Sequence, residues 1–514
     1  MTAESLSAAR PAGMGAGPGR PARSLWVLVP LSAFGGVLTS TGFPASDLAP
    51  LALLGVAVGL GACAASGTAG RGAITGLAYG VAFAGVVFAW ALQLEVLAYL
   101  ALAPIQGAFW VLTGAAATVA ARRLGPLGWT VAVAATWTLV EALRARAPMG
   151  GFEWGQLGLS SAEFPVREGA AIVGTLGLTG LLVAVAAALA ATLQWWGEGP
   201  LRALVPLILA LAATGSVAAI GAADWTEDVG SLEVAIIQVD DPCPGEYAAE
   251  CPGMRQELLA DHIAAVGRLD EDVDLLLWGE GVLRGATPEQ AGAALHEAAG
   301  DLPAPLLAGT SSPEEPDRFY NRNVLYEPDG TVVDAYAKRH AVPFGEYVPF
   351  RNALGWIANV GDLVPTDMVS GGLPGELAVP DHAVSLGTVV SWEVTFARLV
   401  RDSAADTQAL TALTTQASYE EAPVSDQLLQ AARLRAAETG RGAAIAATTG
   451  RSTIIEPGGA QPAQTELYAA DELVGTLELR DGATPFVRFG EWPVIALALA
   501  LGLLQVLASR RRRS

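Results

Sequence analysis

Long apolar runs fill the first 222 residues, at 25–41, 48–65, 73–92, 96–120, 127–143, 170–192 and 203–222, and one more follows at 492–508. A helix needs about 20 apolar residues to cross the hydrocarbon of a bilayer, so this pattern predicts eight membrane spans. The run that begins near Ser24 has no obvious cleavage site behind it and is read as retained. Residues 1–23, rich in Ala, Gly, Pro and Arg, read as a disordered N-terminus.

Between the seventh and eighth runs the pattern changes. Short apolar runs alternate with amphipathic stretches: "LEVAIIQV" (232–239) predicts a buried strand, 253–268 a helix, and "VDLLLWGE" (273–280) a second strand. A helix near 288–299, the strand "APLLAGTS" (304–311) and hairpin-like strands around "EPDG" (327–330) follow. Then come "HAVSLGTVVSWEV" (382–394), a helix from 395, the strand "ALTALTT" (409–415), a helix over 425–439, and "AAIAATTGRSTIIEPGG" (443–459). The alternation predicts an α/β domain. The chain is thus divided into a disordered N-terminus (1–23), a membrane domain of about seven helices (24–223), an α/β domain (224–490), a last membrane helix (491–509) and a basic tail (510–514).

Composition sharpens this division. The 514 residues are 52% hydrophobic and 16% charged, with mean hydropathy +0.41, too apolar for an ordinary soluble enzyme. From Asp224 to Gly490 there are 42 acidic and 16 basic residues, a net of −26, whereas the rest of the chain carries a net of +5. That acidity excludes nucleic acid as a partner. Arg10, Arg20, Arg23, Arg71, Arg122, Arg123, Arg202 and the tail Arg510–Arg513 all fall on one side of an eight-span layout. Only Arg144, Arg146 and Arg167 fall on the other, diluted by Glu153, Glu163 and Glu168. By the positive-inside rule both termini are expected in the cytoplasm, with the α/β domain outside the cytoplasmic membrane. There Cys243 and Cys251 could pair as a short loop disulfide or stay as two thiols, whereas Cys63 lies within a span.

Three strand ends carry candidate chemistry. Glu280 ends "LLLWGE", where burial would raise a carboxylate's pKa and make it a base; alternatively it simply opens a loop. Lys338, in "YAKRHAVPFGEYVPFR", is the only lysine in the chain. A lysine is a compact charge whose pKa falls readily on burial, which an arginine cannot replace; drift in an arginine-rich chain is the plainer explanation. Ser391 and Glu393 follow the strand in "VVSWEV"; a serine at such an elbow is a nucleophile or merely a helix cap.

The order strand–Glu, then Lys with "VPFGEYVPF", then a strand-end nucleophile followed by an aromatic and a Glu, resembles the nitrilase superfamily. With seven spans before it and one after, the chain resembles the apolipoprotein N-acyltransferase family over nearly its whole length. "STGFPASDLAPLALLG" (40–55), "WTLVEALR", "GGFEWGQLGLS", "RFYNRNVLYEPDG" and "TPFVRFGEWPVIAL" add to the resemblance, and "VPFGEYVPF" with the preceding Lys is its most specific piece.

The resemblance implies a multi-span α-helical membrane domain plus a nitrilase-like αββα sandwich, with no cofactor and no metal. It implies Glu280 as general base and Lys338 as a small titratable cation for the oxyanion. Glu346, Glu393 and Trp392 would be supporting residues. The implied reaction moves an acyl chain from a phospholipid, through an acyl-enzyme, to the N-terminal amine of a diacylglyceryl-cysteine apolipoprotein. The sequence departs from the family at the nucleophile, where Ser391 replaces Cys. It departs again at "TTQA" (414–417), where an Asn-rich strand end is expected, and at Gly279, where Pro is usual. A hydroxyl is far less acidic than a thiol. Three readings therefore stand: an acyltransferase; a non-catalytic membrane scaffold, for instance for a glycosyltransferase such as a polyprenyl-phosphate mannose synthase; and a membrane-tethered amidase.

Overall fold

The computed structural model describes residues 23–240, 253–315, 318–351, 364–419 and 421–511. The helical part comprises α1 (Leu25–Ser40), α2 (Ala49–Ala64), α3 (Ala69–Val87), α4 (Ala91–Leu94), α5 (Val96–Gly107), α6 (Trp110–Ala121), α7 (Pro126–Arg144), α8 (Ala170–Trp195) and α9 (Pro200–Gly221). Six helical segments are long and apolar enough to cross a membrane: Ala69–Val87, Val96–Ala121, Pro126–Arg144, Pro165–Glu198, Pro200–Gly221 and Trp492–Arg510. This is a membrane protein. The first two apolar runs form helices of 16 residues each. At 1.5 Å per residue each is about 24 Å long, short of a hydrocarbon core of about 30 Å. The apolar run at 96–120 is interrupted between α5 and α6, at residues 108–109.

The α/β part contains β1 (Thr226–Gln238), α10 (Met254–Val266), β2 (Leu275–Arg284), α11 (Pro288–Ala299), β3 (Leu306–Glu315), β4 (Arg318–Tyr326), β5 (Val332–Ala337), β6 (Asp367–Met368), β7 (Glu376–Ala378), β8 (Ser385–Val390), α12 (Ala397–Ala404), β9 (Ala409–Thr414), α13 (Val424–Thr439), β10 (Gly442–Ala447), β11 (Thr453–Ile455), β12 (Asp471–Gly482) and α14 (Pro485–Phe489). The last helix, α15 (Trp492–Arg511), follows. One sheet has the order β12-β1-β2-β3-β4-β5, with β6 beside β4; the other has the order β11-β10-β9-β8-β7. The sheets stack through alternate residues of their strands: Val234, Ile236, Leu275, Leu277 and Leu307 meet Leu386, Leu413, Ala444 and Ala446. The opposite residues of the first sheet, such as Leu276 and Trp278, pack under α10 and α11 with Leu258 and Leu295. Cys243 and Cys251 lie outside the described residues.

α12 and α13 form the fourth layer, and α13 is buried on both faces. One face lies on the second sheet and the other against the membrane helices. Buried polar residues of α13 tie the two parts together. Gln427 accepts from Trp154 Nε1 (2.7 Å) and donates to the Val87 carbonyl (3.2 Å), and Gln430 donates to the Gly42 carbonyl (3.3 Å). Farther along, Glu438 Oε1 accepts from the Thr175 N–H (2.6 Å), and Arg435 pairs with Glu438 (3.0 Å). That N–H is free because Gly174, at φ +64°, breaks α8 immediately before it. The helix in effect starts again at Thr175, and a carboxylate satisfies an orphan donor at its positive end.

Candidate active site

The C-terminal ends of β2, β5, β8, β9 and β10 converge on one spot. Along β2, Leu276 and Trp278 face the helices, and strict alternation would send Glu280 the same way. The pairing of β2 with β3 shifts register between Trp278 and Leu283, and Gly281 adopts φ +74°. This irregularity turns the Glu280 side chain toward the inter-sheet space, as bulges commonly do beside active sites. Gly309 on β3 allows the close approach: a Cβ there would lie 2.5 Å from the Glu280 Cα. Gly279, where the family resemblance anticipates Pro, packs on β10's end, with Thr448 N only 2.3 Å from a Cβ position.

Lys338 extends β5, its N–H donating to the Asn321 carbonyl (2.9 Å). Its side chain is 1% exposed. The ammonium donates to Glu346 Oε1 at 2.7 Å and stands 3.9 Å from Glu280 Oε1. Asn321 Nδ2 donates to both carboxylates, at 2.7 Å to Glu280 and 3.3 Å to Glu346. Ser391 forms the tip of β8. It holds φ +52°, an unfavourable backbone for a residue with a Cβ, at the point where the strand turns into the one-turn helix Ser391–Thr395. Its hydroxyl lies 3.5 Å from Thr414 Oγ1 on β9.

The electrostatics follow from burial and neighbours. Burial raises the Glu280 pKa and Glu346 adds to the rise, against Lys338, Asn321 and the Ser391 hydroxyl, which oppose it. Its Oε2 is buried without a hydrogen-bond partner. Burial alone would lower the Lys338 pKa, but Glu346 and Glu280 outweigh it and the net shift is upward. This corrects the expectation of a readily titrated lysine: flanked by two carboxylates, Lys338 is a fixed cation.

Glu393 and Trp392 sit behind this group. Glu393 accepts from the N–H groups of Arg339 and His340 (both 2.8 Å), the N–H of Val390 (2.9 Å) and the Tyr336 hydroxyl (2.9 Å). It therefore staples the end of β5 to the end of β8. Trp392 Nε1 donates to the His340 carbonyl (2.7 Å) and its ring packs on His340 and Phe396. Gln416 is turned away from the centre, its side chain donating to the Ala422 carbonyl (3.0 Å). Sequence reasoning did not single out Asn321, Tyr336, Thr414 or Thr448. For Asn321 a signal existed: Asn321 and Asn323 share a face of β4 with the buried Leu325, and Asn323 donates to Thr388 Oγ1 (2.7 Å) on the second sheet.

A buried carboxylate with a raised pKa, a fixed ammonium and a hydroxyl on a strained elbow, at the edge of a two-sheet sandwich joined to membrane helices, define a membrane-bound member of the carbon-nitrogen hydrolase class. Residues 234–480 match the carbon-nitrogen hydrolase family model, and residues 35–188 match that of the apolipoprotein N-acyltransferase N-terminal domain. The chain belongs to the apolipoprotein N-acyltransferase family. It is 30% identical to the Chromobacterium violaceum apolipoprotein N-acyltransferase over 75% of this chain and 73% of that one. It is 28% identical to the Nitrosomonas europaea enzyme of the same name, over 93% and 97%. Among solved structures, an amidase from Nesterenkonia sp. is 21% identical, covering 51% of this chain and 94% of its own, with a TM-score of 0.36.

Proposed function

We propose that the protein transfers an acyl chain from a membrane phospholipid to the N-terminal amine of diacylglyceryl-cysteine apolipoproteins, with Ser391 as nucleophile. The observation that carries this reading is the buried Lys338 ammonium, 3.9 Å from Glu280, in a chain of this family. Glu280 takes the Ser391 hydroxyl proton as the oxygen attacks the acyl carbonyl. Lys338 balances the oxyanion, held in place by Glu346. The intermediate collapses to an acyl-serine ester, and the lysophospholipid leaves with the proton from Glu280. The lipoprotein's amine then attacks the ester, Glu280 accepts its proton, and the Ser391 oxygen departs and regains one.

Glu393 and Trp392 act as positioning residues. The domain boundaries, the eight-span count and the layout with both termini in the cytoplasm belong to the same proposal, and place the sandwich outside the cytoplasmic membrane. Relatives named for acyl transfer do not favour the scaffold reading. The test is complementation of a cell lacking apolipoprotein N-acyltransferase. Rescue by the native protein or by Ser391→Cys supports acyl transfer; failure of both at full expression rejects it.

A further inference from the structure

Ser391 holds a left-handed backbone, and such strain persists only where the surroundings fix it from more than one side. Glu393 supplies one side, accepting from the Val390 N–H just ahead of the elbow. At the other end, the one-turn helix Ser391–Thr395 runs through Phe396 into α12. Phe396 stands where a Ser, Thr, Asp or Asn would cap α12, and its side chain cannot accept a hydrogen bond. The acceptor comes instead from outside the sandwich. Glu153, in the segment after α7, accepts from the Ala397 N–H through Oε2 at 2.8 Å.

The segment that carries Glu153 is itself held on both sides. The Phe152 N–H donates to the Arg144 carbonyl (2.8 Å), and the Arg144 side chain donates to the Trp154 carbonyl (2.8 Å). Trp154 is tied to α13 through Gln427, and Arg398, next to Ala397, donates to the Gly150 carbonyl (2.8 Å). Glu153 is 3% exposed. Burial, with Glu491 adding to it, raises its pKa to about 8, against Arg435, the Ala397 N–H and Arg398. Glu491 is already paired with Arg146 (2.6 Å). At neutral pH Glu153 therefore serves as a hydrogen-bond acceptor and not as a charge.

We propose that Glu153 is a positioning residue for the nucleophile: from the helical part it caps α12 and so fixes the far end of the Ser391 elbow. The proposal rests on the acyl-transfer reading for what the elbow is for. Its test needs neither lipid nor lipoprotein, so it stands or falls apart from that reading. The full chain carrying Ser391→Cys is alkylated in detergent with iodoacetamide across a range of pH, and the rate is followed by mass spectrometry at the peptide that contains position 391. A thiol in place beside Glu280 gives its proton to that base, whereas a displaced one must ionise unaided, with a pKa of about 8.5.

Adding Glu153→Leu is expected to lower the rate at pH 7 about tenfold and to move the midpoint of the pH profile up toward about 8.5. Glu153→Gln keeps an accepting oxygen and is expected to leave both in place. Ala397→Pro reports independently: it deletes the donor at the first position of α12, where proline is tolerated, after a Phe396 already in the extended region that proline requires of its predecessor. It is expected to shift the midpoint as Glu153→Leu does, and the two together no further than either alone, since both delete one hydrogen bond. A midpoint unmoved by either variant overturns the proposal. So does a Glu153→Gln that behaves like Glu153→Leu, or a double variant whose shift is the sum of the two.

Discussion

Lys338, the only lysine in the chain, occupies a slot that an arginine does not fit. Its compact ammonium is 1% exposed between two carboxylates, and a planar guanidinium fork needs more room and a different donor geometry. Lys338→Arg keeps the charge but is expected to lower kcat by about 100-fold or more, the scale of losing one oxyanion donor; near-native turnover would show that any cation suffices. The raised Glu280 pKa fixes a pH dependence. As pH falls through that value the carboxylate protonates and the base is lost, so the acid limb of kcat/KM lies above the ordinary Glu value of about 4.3. Asn321 favours the ionised form, so Asn321→Leu is expected to move that limb to higher pH. A limb that stays in place would remove Glu280 from the role of base. Glu280, Lys338 and Ser391 were legible in the sequence because each ends an apolar run. Asn321 was less so, because the pair Asn321 and Asn323 has no reading until the face the two share is known. The upward shift of Lys338 was also invisible, because it depends on two carboxylates that meet only in the fold.

Elements were legible where periodicity was strong: the helix anticipated near 288–299 spans Pro288–Ala299, and that anticipated over 425–439 spans Val424–Thr439. What periodicity could not reveal was the register shift in β2 that turns Glu280 inward, since alternation alone points it the other way. Nor did it show that α13 is buried on both faces, since Gln427, Gln430, Arg435 and Glu438 are polar. They bind the membrane helices. Glu438→Ala leaves the 2%-exposed Arg435 unpaired and is expected to cost about 3 kcal/mol. Thermal unfolding in detergent would register this. Arg435→Leu combined with Glu438→Leu is expected to recover much of the loss, since removing both charges removes the unpaired one. If the single and double variants unfold alike, the pair does not hold the two parts together.

At the scale of the whole molecule, hydropathy located the apolar helices, the first two of which are 16 residues each. Apolar residues before and after a helix extend a run without extending the helix. The sidedness rests on arginine distribution. Reporter fusions near residue 300 are expected to be active as extracytoplasmic phosphatase and inactive as a cytoplasmic fluorophore; the reverse pattern would put the sandwich in the cytoplasm. Docking of the sandwich through α13 also places the residues that follow Lys338 and the turn after α7 around one cleft. Sequence alone could not indicate this, because the contributing segments lie about 190 residues apart.

The most direct test of Ser391 as the acyl-carrying atom is the intact mass of the purified protein after incubation with phospholipid. The native chain is expected to gain little acyl mass, because a hydroxyl gives up its proton far less readily than a thiol. Ser391→Cys is expected to gain a full acyl adduct that hydroxylamine removes, and Ser391→Ala none. An adduct of equal size and extent on Ser391→Ala would contradict the account, because the nucleophile would then lie elsewhere.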